Sequence, residues 1–223
     1  MDRVGPWSGR FCGDLSFIKY MSAEIKILVA GIHQMIGDEK LDVACTTTLI
    51  KSNKNIVVDP GSYINKDRVA EGLRECGLSP EDIDAVILTH SHLDHIANVF
   101  LFPAAKIFMR FISGNYPGQF QLIKEGTVNR FNLIEEPIAD GVKIIDTIGH
   151  AIDHISVAVD TKDGKIVIAG DAVAGEVWAD IIKQPNPDFV YSVEKYNESR
   201  KKILEMADYI IPGHGDMFKN IKK

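Results

Sequence analysis

Seven histidines occur in the chain, and five stand where they could bind a metal: His90, His92, His95, His150 and His214. The segment His90-Ser91-His92-Leu93-Asp94-His95 packs three imidazoles and a carboxylate into six residues. On extended backbone His90 and His92 point to the same side, and a turn at Asp94 and His95 brings two more donors to the same place. Imidazole and carboxylate are donors that zinc, iron and manganese share. His150, Asp171 and His214 each follow a glycine, and each closes an apolar run: KIIDTIG-His150, KIVIAG-Asp171 and DYIIPG-His214. The run AVILT likewise ends on His90. In open α/β sheets, sites gather beyond the carboxyl ends of strands, and glycine permits the backbone angles that ligand loops need. Five histidines and two aspartates are too many donors for one tetrahedral ion and suit two. A closed structural zinc site would be rich in cysteine, and no cysteine neighbours the cluster.

Such donors need strands to carry them. Apolar runs predict strands at 25–30, 43–50, 56–58, 85–88, 106–109, 143–145, 156–159, 165–169 and 209–211. The first two read as a pair joined through a loop that holds His33 and Gly37. Val69, Ala70, Leu73 and Cys76 mark one face of a helix that Gly77 ends. Ser79 and Pro80 signal a brief helical turn. Residues 191–207 read as an amphipathic helix through Val193, Tyr196, Ile203, Leu204 and Ala207. This mixture indicates a layered α/β domain. Residues 55–61 (NIVVDPG) and 165–171 (KIVIAGD) echo each other. The echo reflects either an internal duplication or the way any buried strand leaves into a glycine turn.

A length of 223 residues suits one domain or two, and the 45% apolar share is that of a globular chain. The 25 basic residues against 31 acidic give a net charge of −6, which argues against a basic coat for nucleic acid. No apolar stretch reaches the roughly eighteen residues that span a bilayer, so no membrane partner is expected. The N-terminus lacks the apolar core of a signal peptide. Cys12, Cys45 and Cys76 are scattered and odd in number, which suits reduced, buried thiols and a cytoplasmic location. Residues 1–22 show no clear period. They are set apart as an N-terminal extension, non-native, disordered or a short arm on a sheet edge, with the domain proper at 23–223.

The ordered pattern H-x-H-x-D-H, Gly-His, Gly-Asp, Gly-His resembles the metallo-β-lactamase superfamily, from about residue 24 onward. The resemblance implies a four-layer αββα sandwich with the site at one edge. It implies His90, His92 and His150 as ligands of a first metal, Asp94, His95 and His214 as ligands of a second, and Asp171 as a bridge. Asp59, in Val-Asp-Pro-Gly, matches a buried aspartate that supports the 90–95 loop. His154 stands either behind the ligands or as a hydrogen-bonded structural histidine. The implied cofactors are two divalent ions, zinc first, with iron or manganese as alternatives. A metal-bridged hydroxide would cleave an ester, thioester, lactone or phosphodiester of a small molecule, and Asp94 would protonate the leaving group. His33 and Met35 lie in a hairpin loop that overhangs the site in relatives, or are simply solvated. Trp178, in the 175–188 segment, is either a lid aromatic or a wedge against the sheet. Lys201, Lys202, Lys219, Lys222 and Lys223 read as a solvated face and tail. A homodimer is the assembly the resemblance suggests.

Departures from the pattern narrow these expectations. Only nine residues follow His214, so a glyoxalase II-type helical domain is not expected. The spacing from Asp171 to His214 leaves no room for the large cap of the RNA-processing branch. Ala174 stands near the place where lactone-opening relatives carry a tyrosine, and His92 where flavodiiron proteins carry a glutamate. No cysteine ligand accompanies the set, so antibiotic hydrolysis is not implied. Residues 98–103 (NVFLFP), 149–159 and 196–215 resemble one narrower branch of the family. Two alternatives remain: a mononuclear iron enzyme of the persulfide dioxygenase kind, and a small metallo-nuclease, against which the net charge weighs.

Overall fold

Strands that are apolar at successive positions need cover on both faces, and this requirement builds the architecture. The computed structural model describes residues 22–37, 40–110, 112–115, 119–122 and 138–222. The expected N-terminal extension, apart from Ser22, lies outside them, as do Cys12 and Lys223. A seven-stranded sheet is ordered β1 (Glu24–Val29), β4 (Thr47–Lys51), β5 (Asn55–Val58), β6 (Ala85–Ile87), β7 (Lys106–Met109), β8 (Ile112–Asn115), β9 (Gln119–Leu122). A five-stranded sheet follows chain order through β10 (Val142–Asp146), β11 (Ile155–Thr161), β12 (Gly164–Gly170), β13 (Tyr209–Pro212) and β14 (Phe218–Lys219). The hairpin of β2 (Ile32–Ile36) and β3 (Lys40–Ala44) stands apart from both.

Side-chain alternation sorts the core into three interfaces. Ile56, Val58 and Ile87 of the larger sheet meet Val157, Val159, Ile166 and Ile168 of the smaller one. Val57 and Val86 face the other way, onto Val69 and Leu73 of helix α1 (Lys66–Glu75). Ala158, Val167 and Ala169 face outward onto Ile203, Leu204 and Ala207, at and beyond the end of helix α3 (Val193–Met206). These three interfaces make a four-layer αββα sandwich. The one-turn helix α2 (Leu93–Ile96) sits beyond the end of β6.

The echoed segments occupy matching places. β5 pairs antiparallel with β4 and parallel with β6, and β12 pairs antiparallel with β11 and parallel with β13. Asp59 and Asp171 thus leave equivalent strands of the two sheets. The brief turn at Ser79 is a capping box closed by Asp82, and the Ser192 hydroxyl accepts from the Lys195 N–H to start α3.

One expectation needs correction. The strand predicted over 43–50 is two strands, β3 and β4, separated by Cys45 and Thr46. The pairing expected with 25–30 belongs to β4, while β3 pairs with β2 and places His33 opposite Val43. His33 and Met35 are therefore strand residues. The cause lies in tertiary bonding at Thr46, which local β propensity does not register. No helix among the described residues is long and apolar enough to cross a membrane.

Candidate metal centre

The carboxyl ends of β6, β10, β12 and β13 converge on one spot. His90, His92, Asp94 and His95 arrive from the larger sheet, and His150, Asp171 and His214 from the smaller. The donors form two groups. In the first, His90 Nε2 lies 3.0 Å and His150 Nε2 3.1 Å from His92 Nδ1. Asp171 Oδ2 lies 3.3 Å from His150 Nε2 and 3.9 Å from His90 Nε2. In the second, Asp94 Oδ2 lies 3.5 Å from His95 Nε2 and 3.8 Å from His214 Nε2. The other oxygen of Asp171, Oδ1, lies 3.5 Å from His95 Nε2 and 3.2 Å from His214 Nε2. Zinc–nitrogen bonds in a tetrahedron imply donor–donor edges of about 3.3 Å. The observed separations bracket that value, so each group could hold a metal ion.

The outer nitrogens determine which lone pairs face inward. The Asp59 carboxylate accepts from the Thr89 N–H at 2.7 Å and from the Thr89 hydroxyl at 2.7 Å. It also bonds His95 Nδ1 at 2.8 Å. Since the Thr89 proton is committed to Asp59, Thr89 Oγ1 accepts from His90 Nδ1 at 3.0 Å. His214 Nδ1 donates to the Ala44 carbonyl at 2.9 Å. His90, His95 and His214 therefore turn Nε2 lone pairs toward the centre, an orientation that outer partners commonly impose on metal-binding histidines. Asp59 achieves this with φ at 50°, a left-handed conformation that aspartate tolerates better than most residues. Sequence reasoning did not single out Thr89; its place directly before His90 was the available signal.

Electrostatics divide the two groups. Burial holds the pKa of His90 well below the usual imidazole value and lowers that of His150. Burial also opposes charge on His95 and His214, yet Asp59 and Asp171 raise His95 well above the usual value, and Asp171 raises His214. Burial would raise Asp171, but His95 and His214 hold it well below the ordinary carboxylate range. His95 Nε2 and Asp171 Oδ1 are both buried without a hydrogen-bond partner. Two acceptors that face each other need a proton or a cation between them, and imidazole with carboxylate fits a divalent ion. The centre opens to solvent on the side of His92, which is exposed, and Asp94, whose side chain is 19% exposed.

Glycines mark where ligand loops touch. A Cβ on Gly213 would lie 1.9 Å from Asp171 Oδ1, and one on Gly149 would lie 2.2 Å from the Tyr196 backbone nitrogen. The 148–150 segment is pinned to the start of α3 by bonds from Tyr191 N–H to the His150 carbonyl, from Ser192 N–H to the Gly149 carbonyl and from the Ser199 hydroxyl to the Ile148 carbonyl.

The remaining residues singled out in the sequence fall in different places. His33 meets His214 edge-on at 5.5 Å between ring centres, while Met35 is exposed on the same strand. His154 is buried behind His90, with ring centres 5.0 Å apart. The Trp178 ring packs on the α3 core, edge-on to Tyr196 and under the Lys183 ammonium, in the wedge arrangement. Cys45 is buried near Asp59 and His95. Burial first, then Asp59, pushes its thiol well above the usual range, so it stays neutral and bonds the Asp59 carbonyl.

Residues 41–214 match the family model of the metallo-beta-lactamase superfamily, and the chain belongs to that family. It is 29% identical over 208 residues to metallo-beta-lactamase domain-containing protein 1 of Xenopus laevis, across 89% of this chain and 82% of that one. This is the branch suggested by residues 98–103, 149–159 and 196–215. Over 159 residues it is 33% identical to a probable metallo-hydrolase of Methanocaldococcus jannaschii, across 71% of this chain and 70% of the relative. The crystal structure of a candidate metallo-beta-lactamase from Thermotoga maritima superposes with a TM-score of 0.68 at 25% identity, over 89% of this chain and 99% of that one.

Proposed function

We propose that the chain is a hydrolase with two divalent metal ions, zinc first among them, that cleaves an ester, thioester, lactone or phosphodiester of a small molecule. His90, His92 and His150 would hold one ion, Asp94, His95 and His214 the other, and Asp171 would bridge them. The observation that carries this reading is the Asp171 carboxylate, which faces the first group through Oδ2 and the second through Oδ1. When bound, such ions activate a water molecule as nucleophile and polarise the substrate oxygen. The chain's own residues do the rest. Asp59 and Thr89 fix the imidazole orientations. Asp94, partly open to solvent, would accept the proton that the attacking water gives up and pass it to the leaving group. His33, beside His214, and Met35 line the substrate's approach.

The test is elemental analysis of protein purified without chelators, added metal or oxygen, followed by a panel of esters, thioesters, lactones and phosphodiesters. The expected result is about two zinc or manganese ions per chain, with turnover of one substrate class that Asp171→Ala abolishes. About one iron per chain, with no hydrolysis, would overturn the reading and favour oxygen-dependent sulfur chemistry on two histidines and an aspartate.

A further inference from the structure

His214 reaches the centre from the loop 213–215, which has no regular structure to stiffen it. On one side that loop rests on the turn after β12. The Gly213 N–H donates to the Gly170 and Val173 carbonyls, and the His214 N–H donates to the Ala174 carbonyl. On the other side Thr46 meets it through both its backbone and its side chain. Thr46 is 3% exposed and stands in the break between β3 and β4. Its N–H donates to the Gly213 carbonyl at 2.6 Å. Its hydroxyl donates to the Gly215 carbonyl at 2.8 Å and accepts from the Gly215 N–H at 3.1 Å and the Gly31 N–H at 3.1 Å. A threonine hydroxyl has one proton and two lone pairs, and here all three are used. Two residues before Thr46, the Ala44 carbonyl accepts from His214 Nδ1.

We propose that Thr46 is the positioning residue of the second metal group: it brackets His214 on both sides and fixes how far Nε2 reaches toward Asp94 and Asp171. The same hydroxyl registers the β2–β3 hairpin through Gly31, where a Cβ would lie 2.6 Å from the Thr46 nitrogen. His33, carried by that hairpin against His214, is thereby set in the same frame. This inference rests on His214 being a metal ligand. It adds that the Thr46 hydroxyl, from the break before β4, completes the set of bonds that holds the loop's geometry. Valine has the shape of threonine but would leave two N–H groups and one carbonyl without partners in a buried place; serine would keep all three bonds.

The experiment is calorimetric titration of the metal-free chain with zinc, for the native protein and for Thr46→Val, Thr46→Ser and His214→Ala. The native chain should show two binding steps, of which His214→Ala removes one. Thr46→Val should weaken that same step about 10–100-fold and leave the other unchanged, and Thr46→Ser should restore it. The proposal is overturned if Thr46→Val leaves both steps native, weakens both alike, or matches Thr46→Ser. Thr46→Ala, which admits water to the orphaned groups, is titrated in parallel and should weaken the same step. If both Thr46→Val and Thr46→Ala unfold while Thr46→Ser binds normally, Thr46 serves folding alone and the proposal also fails. A native chain with a single step removes the two-ion reading itself, whereas a His214→Ala chain that keeps both steps removes His214 from the ligands and the proposal with it.

Discussion

At the scale of the residue, the centre depends on which protons are already committed. His154 shows this most simply. The Ser156 hydroxyl donates to the Ala169 carbonyl, so Ser156 accepts from Thr147, and Thr147 accepts from His154 Nδ1 at 3.0 Å. The relay makes His154 a neutral imidazole whose buried Nε2 has no partner. Burial, followed by the nearby His150, lowers its pKa from 6.5 to about 3. Between those values the unfolded chain binds a proton here that the folded chain refuses, so this residue makes stability fall as pH drops below 6.5. The slope approaches about 1.4 kcal/mol per pH unit. Urea unfolding of the metal-free native chain and of His154→Gln, from about pH 7 down to about pH 5, should show the native chain losing stability with the steeper slope, which His154→Gln lacks. Parallel profiles would mean that His154 is not held neutral by the fold. The sequence suggested two roles for this residue, and the proton relay favours the hydrogen-bonded structural one. The seven donors were legible because histidine and aspartate past strand ends are rare in combination. Thr46 and Thr89 were not, since a threonine reads as ordinary strand and the Thr46 partner Gly215 lies 169 positions away.

At the scale of the element, what positions the donors is as much a set of anchored segments as the strands themselves. The segment after Asp171 has exposed Val177, Ile181 and Ile182 and only short 3-10 turns, yet it keeps a defined path. Arg200 of α3, fully buried, explains it. Its guanidinium donates to the carbonyls of Trp178, Asp180, Ile181 and Lys183 and to the Asn197 side chain, and it lies over the Tyr196 ring. Arg200→Met keeps the volume and removes the donors. Charge-assisted bonds contribute about 1.5–3 kcal/mol each, and their losses do not add when one side chain makes them all. A destabilisation of about 3–4 kcal/mol is expected in denaturant unfolding, with faster amide exchange over residues 176–183. Unchanged exchange there would show that the segment is held by its own turns. Helix periodicity places α3, and the solvated face read for Lys201 and Lys202 does not include Arg200, whose inward direction pattern alone does not reveal. The β3–β4 break was missed for a related reason. Residues 43–50 are alanine, cysteine, threonine and branched apolar side chains, with no glycine or proline to interrupt them.

At the scale of the whole molecule, the two sheets contribute unequal shares to one centre. The larger sheet supplies His90, His92, Asp94 and His95, and the smaller supplies His150, Asp171 and His214. Neither sheet alone completes either group: the first needs His150 and Asp171, and the second needs His214, with Asp171 Oδ1 beside it. Metal ions at this place would therefore bind the assembled sandwich and not the separated sheets or the unfolded chain. Ligand that binds only the native state stabilises it by about 4 kcal/mol at a thousandfold excess over its dissociation constant. For a chain of this size, 1 kcal/mol shifts the melting temperature by about 2–4 °C. Removing the metal should then lower the melting temperature by about 8–16 °C, read by thermal unfolding with and without a chelator and restored by adding zinc back. The same chelator should have little effect on His90→Ala/His214→Ala, in which each group has lost a donor. The intersheet core of Val157, Val159, Ile166 and Ile168 on Ile56, Val58 and Ile87 needs no metal, so the stripped chain should still unfold cooperatively. If chelation left the melting temperature unchanged while removing the metal, the ions would be held by donors of one sheet alone, and the division of ligands between the sheets would have to be redrawn. If it abolished the cooperative transition, the hydrophobic interface would not suffice to hold the layers together, and the centre would be part of the fold as well as of the chemistry.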